Sequence, residues 1–154
     1  MARIPERELI SMAKHFGITV TPWAPLGGGA LTGKYLRGEQ GRIKAESVRR
    51  NDRSTEITKV VMAIAEELGT TPGNVALKWT MQQGFSSIPI VGATKLSQLE
   101  DNLKTVDVEL SADHLKRLDE VSAIQLGFPG DFFREDAVRL NNFGGFYDRV
   151  EKRV

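Results

Sequence analysis

Two short β-branched segments, and only two, govern what this chain can fold into. Ile18-Thr19-Val20-Thr21-Pro22-Trp23 and Ser86-Ser87-Ile88-Pro89-Ile90-Val91 are brief apolar runs set off by glycine and proline, which reads as a pair of buried strands. Each is followed by a loop and then by helical periodicity. That order suits consecutive βα units of a parallel sheet. Two strands do not make a stable parallel sheet by themselves, so such a chain either pairs with something or is part of a larger fold.

The helical pattern around them is clear. Leu9, Ile10, Met12, Ala13 and Phe16 recur at helical spacing, and Gly17 stands where a C-cap glycine belongs. Ile57, Val60, Val61, Ile64, Ala65 and Leu68 follow the 3.6-residue period behind a Ser54 cap, and Gly69 ends that helix. Thr71-Pro72 is an N-cap followed by proline at the first helical position. On that helix Val75, Ala76, Trp79 and Thr80 face inward, and Gly84 is the stop. Leu96 to Val106 predicts a helix with Leu99 and Leu103 on one face, and Ser111 caps another through Leu115, Leu118 and Val121. The expectation is an α/β chain with about two core strands and five helices. Residues 127–154, rich in phenylalanine and glycine, read as an irregular tail.

Composition narrows the function. With 40% hydrophobic and 27% charged residues, the chain is globular, not disordered. Its 21 Lys and Arg against 20 Asp and Glu give a net charge of +1, which supports neither nucleic acid nor an anionic membrane as partner. No apolar run approaches the roughly 18 residues of a membrane helix. The opening MARIPERELI lacks the apolar core of a secretory signal, so a cytoplasmic location is expected. There is no cysteine, hence no disulfide, thiolate metal site or cysteine nucleophile. His15 and His114 are the only histidines, so no metal site is expected. No GxSxG elbow is present.

Chemistry has two candidate seats. Gly28-Gly29-Ala30-Leu31-Thr32-Gly33-Lys34 matches GxxxxGK and follows a strand, as a phosphate loop does. Tyr35, however, stands where Ser or Thr must hold magnesium, which argues against an ATPase or GTPase. Exposed N–H groups and one ammonium still suit a diphosphate without metal; a plain glycine turn is the alternative. The following stretch is a long loop, functional or simply solvated, in which Lys34 to Arg53 holds seven Lys or Arg against three Asp or Glu. Gly92-Ala93-Thr94-Lys95 lies after the second strand and before a helix. There a phosphate can meet backbone N–H groups, and ordinary capping explains the same residues. Trp23 ends a strand, where parallel α/β folds place ligands; it reads equally as a core residue.

Taken together, these segments resemble the aldo-keto reductase family. Trp23 to Tyr35 (WAPLGGGALTGKY) looks like the loop after that family's seventh strand. Gly92 to Asn102 (GATKLSQLEDN) looks like its cofactor segment after the eighth, and Thr71 to Trp79 (TPGNVALKW) like the helix between. The flavour is that of the branch resembling β subunits of voltage-gated potassium channels. The resemblance implies the C-terminal portion of a (β/α)8 TIM barrel, incomplete, as one partial domain over residues 1–154. It implies NADP(H) as cofactor, in preference to NAD(H). By that resemblance Trp23 stacks on the nicotinamide. Pro25, Leu26, Gly27 and Gly29 line the pyrophosphate with Lys34 nearby, and Arg42 belongs to a loop closing over the cofactor. Gly92 and Thr94 meet the 2′-phosphate end with Lys95 as charge partner, and Gln98, Asp101 and Asn102 hold the adenosine. The family's catalytic Tyr, Lys, Asp and His come from N-terminal strands that have no counterpart here, so no catalytic residue is expected in this chain. It is expected to be a truncated oxidoreductase, inactive alone, partnered by a complementing N-terminal half-barrel or by itself. The alternative is a non-catalytic nucleotide-binding or protein-interaction module.

Overall fold

The two extended segments find each other in parallel. Val20 pairs with Ser87 and Trp23 with Ile90. The Val20 N–H donates to the Ser86 carbonyl at 2.9 Å, Ile88 N–H to Val20 at 2.9 Å and Ile90 N–H to Pro22 at 3.0 Å. The Thr19 and Ser86 hydroxyls share a hydrogen bond of 2.8 Å. Pro22 and Pro89 have no N–H to give, so the pairing stays a set of isolated bridges, and no continuous strand forms among the described residues.

The predicted burial of these segments needs correction. Val20, Pro22, Ser87 and Pro89 are half-buried, whereas the alternate side chains of Trp23, Ile88 and Ile90 are exposed. A parallel pair is apolar on both faces only when both are covered. Here one face is covered and the other carries Thr21, Trp23, Ile88 and Ile90 into solvent.

The computed structural model describes residues 3–150, which fall into two compact units: residues 19–122, and residues 3–18 with 123–150. Six α-helices occur among them: α1 (Leu9–His15), α2 (Asp52–Glu67), α3 (Pro72–Met81), α4 (Leu96–Leu103), α5 (Ala112–Ser122) and α6 (Asp136–Phe143). None is long and apolar enough to cross a membrane.

In the first unit, α2 begins ahead of the expected Ser54 cap. Asn51 is the N-cap: its side-chain oxygen accepts the Ser54 N–H at 2.8 Å, and the Ser54 hydroxyl oxygen accepts the Asn51 N–H at 3.0 Å. This reciprocal box satisfies two orphan donors at once, and Asp52 then lies in the first turn beside the positive helix end. Ile57, Val61 and Ile64 of α2 pack with Val75, Ala76 and Trp79 of α3, Leu118 of α5, Leu31 of the 3-10 segment Gly27–Thr32, and Leu110. The periodicity of α3 predicts a single inward stripe, but burial runs all round from Gly73 to Trp79. Trp79 donates its indole N–H to Asp119 at 3.1 Å. Lys78 passes its stem through the apolar layer and reaches Glu109 at 3.0 Å.

The helix expected over 96–106 stops at Leu103 and tightens into a 3-10 turn, Lys104–Asp107. Its Leu99 and Leu103, expected on one face, are both exposed, and α4 has no buried residue. Its attachments are polar instead of apolar, as described below.

In the second unit, α1 buries only Ala13. The tail is not irregular throughout. Asp136 opens α6 at its positive end, and Gly144, at φ +55°, closes it. Before it, the Asp131 carboxylate accepts the N–H groups of Leu126 (3.1 Å) and Gly127 (2.8 Å). Residues 1–2 and 151–154 of the expected single domain and tail lie outside the described residues.

Candidate functional site

The parallel register sets the geometry of the site. Because Trp23 is bridged to Ile90, the loops that follow each, Ala24–Lys34 and Gly92–Lys95, leave the same end of the two segments side by side. That end is the carboxyl end of both, where parallel α/β folds bind ligands.

The first loop is a glycine turn closed on its own lysine. Gly27, Gly28 and Gly29 all have positive φ (+61°, +71° and +92°), a run that L side chains rarely adopt. A Cβ on Gly29 would stand 2.6 Å from Lys34 Cε and 2.8 Å from its Nζ. The absent side chain is thus what lets the ammonium lie against the loop. Leu26 is anchored on the core, and Pro25 is half-buried beside it. The Thr32 hydroxyl donates to the Gly29 carbonyl at 2.8 Å.

A basic strap crosses this turn. A Cβ on Gly28 would meet Ile43 Cγ2 at 2.9 Å and Arg49 Nη1 at 3.4 Å. Tyr35 fastens the strap: its hydroxyl donates to the Gly28 carbonyl at 3.1 Å and accepts the Ile43 N–H at 3.1 Å. The Arg50 guanidinium stacks 4.5 Å from the Tyr35 ring, and that of Arg49 lies 5.7 Å from the Trp23 ring. Trp23 itself is 72% exposed, so its ring is a reachable platform rather than a core residue. The structure therefore gathers Trp23, Leu26, Gly27, Gly29 and Lys34. Arg42 stays exposed at the strap's start, and the residues of that segment that reach the glycines and rings are Ile43, Arg49 and Arg50. Sequence reasoning missed Tyr35, Arg49 and Arg50 as a set. The available signal was the adjacent arginine pair in a basic loop following Tyr35.

The second loop is extended and exposed from Gly92 to Lys95. A Cβ on Gly92 would meet nothing within 4 Å. Gln98 folds back on Thr94, its Oε1 accepting the N–H at 3.0 Å and the hydroxyl at 3.1 Å. Asp101 and Asn102 are half-buried on α4. The Asp101 carboxylate accepts a hydrogen bond of 3.0 Å from the Thr71 hydroxyl at the head of α3. Lys95 is exposed.

This arrangement of a reachable aromatic face, a glycine turn, and cations at Lys34, Arg49, Arg50 and Lys95 fits a ligand with a flat ring and phosphates. The model of the Aldo/keto reductase family matches residues 1–123. The chain belongs to the aldo/keto reductase family. Among curated aldo/keto reductase relatives, a probable aryl-alcohol dehydrogenase of Saccharomyces cerevisiae is 28% identical over 138 residues, 85% of this chain and 42% of its own length. A putative voltage-gated potassium channel subunit beta of Schizosaccharomyces pombe is 34% identical over 128 residues, 75% of this chain and 37% of its own. A second protein of Saccharomyces cerevisiae, a putative aryl-alcohol dehydrogenase, is 30% identical over 129 residues, which are 79% of this chain and 90% of that protein. This chain spans about 40% of the length of the first two relatives.

Proposed function

We propose that this chain is the cofactor-binding part of an NADP(H)-dependent aldo/keto reductase, formed as the C-terminal portion of a (β/α)8 barrel. The observation that carries this reading is the Trp23–Ile90 bridge, which aligns the two candidate loops at one carboxyl edge. The uncovered face with Thr21, Trp23, Ile88 and Ile90 supports it as well, since the strands of a closed barrel have an inner face that further strands enclose. When bound, the nicotinamide supplies the hydride; the protein orients it.

On this reading each residue has a task. Trp23 offers a ring face for stacking. Pro25, Leu26, Gly27 and Gly29 shape the turn under the pyrophosphate, and Lys34 supplies charge beside it. Arg42 belongs to the strap over the turn. Gly92, Thr94 and Lys95 face the 2′-phosphate end, and Gln98, Asp101 and Asn102 the adenosine. By the resemblance, the family's proton-transfer residues come from its N-terminal strands, and on this reading carbonyl turnover draws on them. The partial domain over residues 1–154 and a cytoplasmic location belong to the same proposal.

NADPH titrated into the purified chain tests it, read by calorimetry and by quenching of the exposed Trp23 emission. We expect saturation near one cofactor per chain, quenching that disappears in Trp23→Phe, and tighter binding of NADPH than NADH. Absence of saturable binding overturns the reading. Addition of a separately produced N-terminal portion should restore aldehyde reduction to a mixture in which neither piece is active alone.

A further inference from the structure

Helix α4 carries the three residues assigned above to the adenosine, yet no side chain of it is buried in the core. Its leucines Leu96, Leu99 and Leu103 are exposed, and no residue of it is buried. Two side-chain hydrogen bonds tie it and its following turn to the head of α3. The Thr71 hydroxyl donates to Asp101 Oδ2 at 3.0 Å. One helical turn on, the Thr105 hydroxyl donates to Asn74 Oδ1 at 2.8 Å, in a contact where Asn74 is 1% and Thr105 3% exposed. The spacing explains the match: Thr71 and Asn74 lie three apart on one helix face, and Asp101 and Thr105 four apart on the other.

The Thr71 hydroxyl both accepts and donates. Its oxygen accepts the Asn74 N–H at 3.3 Å as the N-cap of α3, and its single proton goes to Asp101. Asn74 is held equally firmly, its amide nitrogen donating to the Thr70 hydroxyl at 3.3 Å. A hydrogen bond to a charged acceptor is stronger than one between neutral groups. The head of α3 is rigid, since α3 is buried from Gly73 to Trp79. The polar pair therefore transfers that rigidity to a helix lacking a packed face of its own.

We infer that Thr71 is a positioning residue for the adenosine end of the site, acting through the Asp101 carboxylate, with Asn74–Thr105 as the second bolt of the same latch. The inference rests on the cofactor reading above and assigns a role to residues outside the two candidate loops.

The test uses the whole chain and two ligands, NADPH and reduced nicotinamide mononucleotide, which has no adenosine half. Thr71→Val keeps the shape and removes the hydroxyl; Thr71→Ser keeps the hydroxyl. We expect Thr71→Val to weaken NADPH by about tenfold, the size of one lost hydrogen bond to a charged group, to leave the mononucleotide unchanged, and to be rescued by Thr71→Ser. Hydrogen exchange supplies a readout without ligand: protection should fall over residues 96–103 in Thr71→Val and hold across α2 and α5. Equal weakening of both ligands, or loss of protection spread over all the helices, reduces Thr71 to a simple helix cap and overturns the inference. Unchanged NADPH affinity overturns it too. Should the wild-type chain bind no cofactor, the reading beneath fails on its own titration, and unchanged exchange over 96–103 would separately sink the latch.

Discussion

Tyr35 stands where a magnesium-binding serine or threonine would complete a phosphate-loop pattern, and the fold uses its hydroxyl otherwise. By donating to Gly28 and accepting from Ile43 it pins the basic strap to the glycine turn. Tyr35→Phe removes both bonds while keeping the ring under Arg50. We expect a loss of about 1–2 kcal/mol in urea denaturation, with new protease cleavage between residues 36 and 50 as the specific sign that the strap is released. Gly33 is a stricter requirement. It sits at φ +77°, and a Cβ there would stand 2.7 Å from Met62 Sδ. Gly33→Ala should therefore destabilise by at least the roughly 1–2 kcal/mol of a left-handed L residue, measured the same way. At the far end of α2, Glu67 receives both prongs of Arg117, at 2.9 and 2.8 Å, and a 3.2 Å contact from His114. The hydrogen bond from Arg117 is the main cause holding the Glu67 carboxyl below the ordinary carboxylate range, and His114 adds to it. A depressed folded-state value means that the unfolded chain binds the extra proton first as pH falls. This contribution is present above the ordinary carboxylate range and is lost as pH drops through the folded value. Denaturation midpoints of wild type and Glu67→Gln should therefore converge in acid and separate toward neutrality. A constant gap would remove the ion pair from the account.

At the scale of elements, the helices were legible wherever local chemistry decides them. Thr71-Pro72 opens α3 as read, Gly69 follows the C-cap of α2, and the α2 period matches its buried face, whereas α3 stops at Met81, before the expected Gly84. The cap of α2 was misplaced because Asn51 and Ser54 are both good capping residues, and only the reciprocal bonding shows which is the N-cap and which is N3. Asn51→Ala should cost about 1 kcal/mol, and the double change with Ser54→Ala should cost less than the sum of the singles. Additivity in that denaturation cycle would mean that the two bonds are independent. The inward face of α4 was illegible for a different reason. Its leucine spacing is that of a packed helix, but periodicity states which residues share a face and not whether a neighbour covers it. The same limit applies to Ile88 and Ile90. The turn at Gly27–Gly29 beside Lys34 was legible because a glycine run after a strand leaves few backbone options. Arg49, Arg50 and Thr71 were not, since their roles come from chain segments meeting in space.

At the scale of the whole molecule, the open side of the paired segments is the largest departure from what a parallel sheet tolerates. Trp23, Ile88 and Ile90 lie on it together, the kind of contiguous apolar patch that soluble monomers rarely leave bare. We expect the chain to bind an apolar dye such as ANS and to show concentration-dependent sedimentation. Ile88→Thr with Ile90→Thr should reduce both without lowering the denaturation midpoint, because neither side chain is in the core. Dye binding that survives the double substitution would place the patch elsewhere.

The pairing of Thr19 with Ser86 joins residues 67 apart in the chain, with α2 and α3 lying between them. Closing so long a loop is entropically unfavourable until the intervening helices have collapsed onto one another. The meeting of the two candidate loops is therefore a late event in folding and an early loss in unfolding. A lesion deep in the α2–α3 core, far from any ligand atom, would then register first as weakened ligand capture, while the circular dichroism of the helices still looked intact.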